Sequence, residues 1–269
     1  MTSRFLLVAV SLLVTSGPIL ADPLTVTLRS RTQPFKGSED WSEVALATTV
    51  KSEETALVLC DIWDKHWCES ATKRCDVIAK RAAEVAKSMR AKSVFVVHCP
   101  SDTMDYYKGT MARKRMQDFT RVEFPKSLNI PDPPLPIDDK DGGCDDATES
   151  KMYRAWSRQH PAIEIDEAVD GVSDNGQEVY NALRAKGVKT LFVMGVHTNM
   201  CILHRGFAIK QMTRAGLKCV LIRDVTDSMY NPKSKPNVTH DEGTQLVIQH
   251  IEKFWCPTCL SAELMKKSP

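Results

Sequence analysis

Thr190-Leu-Phe-Val-Met194, followed by Gly195-Val-His-Thr-Asn-Met-Cys201, decides how this chain folds. A short apolar run of this kind reads as a strand buried on both faces, as in a parallel sheet. Gly195 marks a tight turn, and helical periodicity runs from Cys201 to Ala215, where Gly216 ends it. A thiol that opens a helix meets unpaired backbone N–H groups and the positive end of the helix dipole. Both favour the thiolate, and the same N–H groups could hold a developing oxyanion. Cys201 is therefore the candidate nucleophile.

Outward from this stretch the same alternation repeats. Gly176 to Ala185 is a helix stopped by Gly187, Lys218 to Ile222 a strand, and Asp241 to Phe254 the final helix. Upstream, Ala56–Cys60 and Ser93–His98 read as buried strands, Thr72–Ala91 and Met104–Phe119 as helices, and Ala162–Ile165 as a short strand. Phe124 to Asp146 is Pro-rich, then Asp/Gly-rich, and must be loop. Alternation with right-handed crossovers predicts an α/β fold: a doubly wound, mostly parallel sheet with helices on both faces. Ligands in such sheets bind beyond the carboxyl ends of the strands. Asp61–Cys68, His98–Asp105 and Gly195–Cys201 lie there. Asp61 directly follows its strand and could move the thiol proton as a general base and acid.

With those residues in view, Ala56-Leu-Val-Leu-Cys-Asp61 resembles the opening strand and catalytic Asp of the isochorismatase-like cysteine hydrolases, a family that includes the nicotinamidases. Gly195-Val-His-Thr-Asn-Met-Cys201 is similar to that family's Gly-x-x-Thr-x-x-Cys turn, and Leu183–Gly187, Phe207–Gly216 and Val220–Asp224 match its flanking elements. The resemblance spans about Ala56 to Trp255. It implies hydrolysis of a small amide, imide or ester through a covalent thioester, with Cys201 attacking and Asp61 as general base. It also implies a cis Val196–His197 bond and an oxyanion hole made by the N–H groups of His197 and Cys201. The expected pocket is Trp63, His66, His98, Asp102 and Thr198, with His197 and the Asp102–Tyr107 loop at its wall.

The chain departs from the family at its lysine. None occurs between Lys151 and Lys186, and Asp166 or Glu167 stands at that position. Either another cation (Lys65, His66, Arg154 or Lys108) fills in, or the chemistry is altered, or the domain is a catalytically silent binding module. The family's Asp-x-His metal pair is also missing, so no metal and no cofactor are expected. Asp138, Asp139, Asp141, Asp145 and Asp146 lack EF-hand spacing and read as a solvated acidic loop.

The 269 residues carry a formal net charge of +2, which gives no reason to expect nucleic acid or an anionic membrane as a partner. A small-molecule substrate and a homo-oligomer, as the family often forms, are the expected partners. Arg4 followed by the apolar run Phe5–Val14 and a small residue at Ala21 reads as a signal peptide, so export (periplasmic or secreted) is expected. The predicted organisation is 1–21 signal peptide, 22–51 extension with one strand at Leu24–Leu28, 52–255 hydrolase domain and 256–269 tail. Nine cysteines are permissible in an exported chain, and an odd number leaves at least one thiol unpaired. Cys256-Pro-Thr-Cys259 has redox spacing but follows the last helix, so a structural bridge or a free tail is expected there.

Overall fold

The structure, a computed structural model, describes residues 23–148 and 151–266. The predicted signal peptide lies outside them. The strands are β1 (Leu24–Thr32), β2 (Ser42–Val50), β3 (Thr55–Cys60), β4 (Phe95–Cys99), β5 (Gly171–Val172), β6 (Thr190–Val196), β7 (Lys218–Asp227) and β8 (Thr258–Cys259). The helices are α1 (Glu69–Ala91), α2 (Met111–Gln117), α3 (Gly176–Ala185), α4 (Cys201–His204), α5 (Ile209–Arg214), α6 (His240–Phe254) and α7 (Ser261–Leu264). The strands form one sheet in the order β2-β1-β8-β7-β6-β3-β4-β5. From β8 to β5 every pairing is parallel; β1 pairs antiparallel with both β8 and β2.

β3 shows why an unbroken apolar run is needed. Ala56, Val58 and Cys60 point into the core under α3, α5 and α6, whereas Leu57 and Leu59 point into the core under α1. Side chains alternate between faces with a period of two, so a strand covered on both sides has no polar positions to spare. On α1, Cys75, Ala79, Ala82, Ala86 and Met89 form one buried stripe at helical spacing, mostly of small residues that let the helix lie close to the sheet. Asn175 caps α3 and a Thr239–Glu242 capping box opens α6, which satisfies backbone N–H groups that would otherwise lack partners.

The observed elements correct several expectations. The helix predicted over Cys201–Ala215 is two short helices, α4 and α5. Between them Arg205 is extended, and Gly206 passes so close to Gly176 that a Cβ on Gly176 would sit 2.5 Å from the Gly206 backbone. Packing of α3 against this break overrides local periodicity. The strand expected at Ala162–Ile165 is absent; β5 lies later, at Gly171–Val172. Of Met104–Phe119 only α2 is helical. The N-terminal extension is a β-hairpin, β1–β2, rather than one strand. The supposed tail contributes β8, which joins that hairpin to β7. Extension and tail therefore belong to the same sheet as the rest. Cys256 and Cys259 are buried free thiols and Cys259 lies in β8, so neither the bridge nor the free tail expected there is found. Cys68 and Cys144, 76 residues apart, form a disulfide.

Candidate active site

β3 and β6 are neighbours in parallel register, Cys60 opposite Gly195, so their carboxyl ends deliver Asp61 and the Gly195–Cys201 turn to the same rim. Gly195 has φ +123°, and a Cβ there would lie 2.0 Å from the Cys60 carbonyl oxygen. Only glycine allows the two strands to end this close together. Asp61 itself has φ +50°, a left-handed conformation that Asp tolerates better than most residues. Its N–H donates to the Cys99 carbonyl at 3.0 Å, which ties the strand end to β4.

The side chain of Asp61 is fully buried. One oxygen accepts the Ser101 N–H at 2.7 Å; the other accepts Arg205 Nε at 3.0 Å. Its carboxyl group is also coupled to the Cys201 thiol by a side-chain hydrogen bond and by charge. Burial raises the Asp61 pKa above the ordinary carboxylate value against the opposing pull of Arg205. Burial and the neighbouring Asp61 charge push the Cys201 thiol well up, while Arg205 and the His197 N–H act in the other direction. The resting pair is therefore a neutral thiol beside a carboxyl group that can take its proton, not a preformed thiolate. With only four residues in α4, a helix dipole contributes little here.

A cation does meet Asp61, and it is none of Lys65, His66, Arg154 and Lys108. Lys65, Lys108 and Arg154 are exposed, and burial holds His66 neutral with its pKa lowered to about 4. The cation is Arg205, four residues after Cys201, whose Nη2 also approaches Asp102 at 3.6 Å. Arg205 stands one residue beyond α4 in extended backbone, so helical spacing from Cys201 does not place it. Asp166 and Glu167 are engaged elsewhere. They precede β5, at the amino end of that strand. The Asp166 N–H donates to Asp170, and Glu167 accepts the Ala112 N–H at the start of α2.

The turn before Cys201 is held from several sides. The Val196–His197 bond is cis, as the resemblance implies. The Thr198 N–H donates to the Asp227 carbonyl at 2.8 Å, and Thr198 Oγ1 bonds Thr226 Oγ1 at 2.7 Å. Asn199 donates to Asp139 and to the Met229 carbonyl and accepts the Met229 N–H. His197 is buried, and burial lowers its pKa to about 3, so its ring is uncharged.

The cavity beside Cys201, about 480 Å³, is lined by Leu135, Asp139, Asn199, Met200, His204 and Arg205. This differs from the expected pocket. Trp63 stacks on Trp156 at 4.2 Å and donates from its indole N–H to the Ser101 carbonyl. His66 stacks beside both rings, and the space left among Trp63, His66 and His197 is only about 10 Å³. His98 is sealed in the core between Gln159 and Asp170. Thr198 is fully buried. Of the expected pocket residues, Asp102 reaches the cavity wall through Arg205, and His197 through its carbonyl, which accepts the Met200 N–H at 3.0 Å. An aromatic wall and packing beneath a loop are both open to Trp63 and Trp67 from sequence, and Trp63 takes the second, under the segment 156–163.

Nor is the acidic loop merely solvated. Asp145 pairs with Arg74, Asp146 caps the first turn of α1, Asp141 accepts from Ser234 and Asn231, and Asp139 holds Asn199. Among the described residues, the group of donors spaced to hold a metal is Cys68, Cys144 and Asp146, and its two sulfurs are joined to each other. No helix among those residues is long and apolar enough to cross a membrane.

No protein-family model matches the sequence, and no curated protein matches it. Solved structures do. A cysteine hydrolase from Pseudomonas syringae pv. phaseolicola superposes with a TM-score of 0.51 at 15% identity, over 80% of this chain and 92% of that one. An isochorismatase from Pseudomonas putida gives 0.47 at 12% identity, over 79% and 91% of the two chains. An isochorismatase family protein from Burkholderia thailandensis gives 0.46 at 15%, over 80% and 97%. The first of these likenesses establishes a shared α/β fold.

Proposed function

We propose that this protein is a cysteine-dependent hydrolase of small amides, imides or esters. The observation that carries this reading is the buried group of Asp61, Arg205 and Cys201 at the edge of an open cavity, on a fold shared with a cysteine hydrolase. As Cys201 Sγ attacks the substrate carbonyl, its proton passes to Asp61. The N–H groups of His197 and Cys201 hold the tetrahedral oxyanion. Asp61 then protonates the departing amine or alcohol, which leaves a thioester on Cys201. Asp61, again a carboxylate, deprotonates a water that attacks the thioester; the acid product leaves and the thiol is restored. Arg205 orients the Asp61 carboxylate through Nε and favours its charged form against burial. The absent lysine is therefore no reason to read the domain as silent, since a cation meets the same carboxylate from another element. Export is part of the proposal, and the Cys68–Cys144 disulfide suits an oxidising compartment.

The test is intact-mass spectrometry of the protein quenched during turnover of a panel of small amides, imides and activated esters. An acyl adduct that maps to Cys201 and disappears in Cys201→Ala is expected. Turnover that survives in Cys201→Ala would remove the mechanism, and a panel with neither adduct nor turnover would favour a binding role.

A further inference from the structure

β2 is the outermost strand of the sheet, and its backbone groups can be sorted by side. Thr27, opposite Ala47 in the β1–β2 register, gives its N–H to Glu263 and accepts Arg29 at its carbonyl, so neither group bonds β2. Thr27 and Ala47 are thus a non-hydrogen-bonded pair, and the N–H and C=O of Ala47 point away from β1. By alternation those of Glu43, Ala45 and Thr49 do too. The pairing runs without a bulge from Ser42 to Val50, and this strand contains no proline and no lysine. Between Glu43 and Lys51 it carries no charge at all. Sheet edges are normally protected by exactly those omitted features, so an open edge of this length is built to pair.

We infer that β2 pairs antiparallel with β2 of a second copy of this chain, about a two-fold axis at Ala47, extending the sheet across both copies. The strand is complementary to itself in that register. Ala47 meets Ala47 as a hydrogen-bonded pair, Ala45 meets Thr49, and Glu43 meets Lys51 with opposite charge at both ends. Glu43 faces Arg223 at 3.4 Å and Arg31 at 3.9 Å, Lys51 faces Glu54 at 3.8 Å, and both keep open surface for a partner. Val44 and Leu46, 47% and 67% exposed, lie on the same face of the sheet as buried Leu24 and Val26. In the paired sheet Val44 packs on Val50 of the second copy, and Leu46 on its Thr48, so the apolar face of one copy runs on into the other.

The test is light scattering of the full chain across micromolar concentrations, for wild type, Ala47→Pro and Ala47→Lys. Proline removes an N–H that the β1–β2 ladder does not use and is tolerated on an edge strand. Lysine sets two ammonium groups against each other at the axis and should weaken association ~100-fold. The expected result is twice the chain mass for wild type and the single chain mass for both variants, with unchanged far-UV circular dichroism. A wild type of single mass, or a dimer that persists in Ala47→Lys, overturns the inference. If Ala47→Pro loses its fold, Ala47→Lys decides alone.

Discussion

At the end of β3, Asp61 is gripped by Arg205; beside β4, Asp170 is gripped by Arg90, with Nε and Nη2 at 3.0 and 2.6 Å from its two oxygens. Both carboxylates are buried, both bond an arginine, and each touches a third titratable group, Cys201 in one case and His98 in the other. Their pKa values nevertheless move in opposite directions. Burial would raise both. Around Asp170, His98, Arg90 and the Asp166 N–H together overcome it and lower the value to about 2. Around Asp61, Arg205, the Cys201 thiol and Ser101 also pull the value down, but burial outweighs them. A carboxylate saturated with donors is a fastening. One whose donors do not offset its burial, next to a thiol and an open cavity, is poised to accept a proton.

The severest way to break this contrast is Cys201→Ala. It should lower hydrolysis about 10⁴-fold while leaving the thermal midpoint nearly unchanged, as measured by initial rates and calorimetry. Asp170→Asn should do the reverse. Removing one partner of a buried ion pair costs about 3 kcal/mol, read by urea unfolding, and the rate per folded molecule should stay the same. The sign of its pH dependence follows from a folded pKa below the unfolded one. The Asp170 contribution is complete above about pH 4 and is lost as pH falls towards 2, so stability curves of wild type and Asp170→Asn should converge in that range. A rate loss in Asp170→Asn equal to that of Cys201→Ala would erase the distinction between the two regions.

Arg205→Met sharpens the contrast from the other side. Without its cation Asp61 stays protonated to higher pH, so the acid limb of the rate profile should move upward and the rate at neutral pH fall about 100-fold. Arg205→Lys should restore part of that loss. An unmoved acid limb in Arg205→Met would show that the arginine only packs. The smallest effect belongs to Asp102→Ala. Asp102 is half exposed and 3.6 Å from Arg205, so its removal should change the rate no more than about twofold, near 0.5 kcal/mol.

Much of this was legible along the chain. Parallel strands buried on both faces need unbroken apolar runs, and Ala56–Cys60 and Thr190–Met194 have them. Each run is followed at once by a chemically active residue or turn, which was enough to place Asp61 and the Cys201 turn at one rim. Arg205 was not legible because the resemblance points to the segment before α3 for a cation, whereas the cation comes from the extended residue that follows α4. The pocket was missed for a different reason. Trp63, His66 and His98 follow strand ends, but whether such a residue faces a cavity or lies under a cover depends on residues 156–163 and on Asp170, about a hundred residues away.

Local patterning, then, determined which segments become strands and helices and which residues stand at the strand ends, because burial on one or two faces leaves a periodic mark in sequence. Tertiary structure alone decided which charge meets which. The break between α4 and α5, the Cys68–Cys144 bridge, the place of β8 between β1 and β7, and the opposite fates of Asp61 and Asp170 all depend on contacts between distant segments. The physical reason is that a side chain's charge state depends on the number of donors and the amount of water around it in space, and neither leaves a trace in the order of residues.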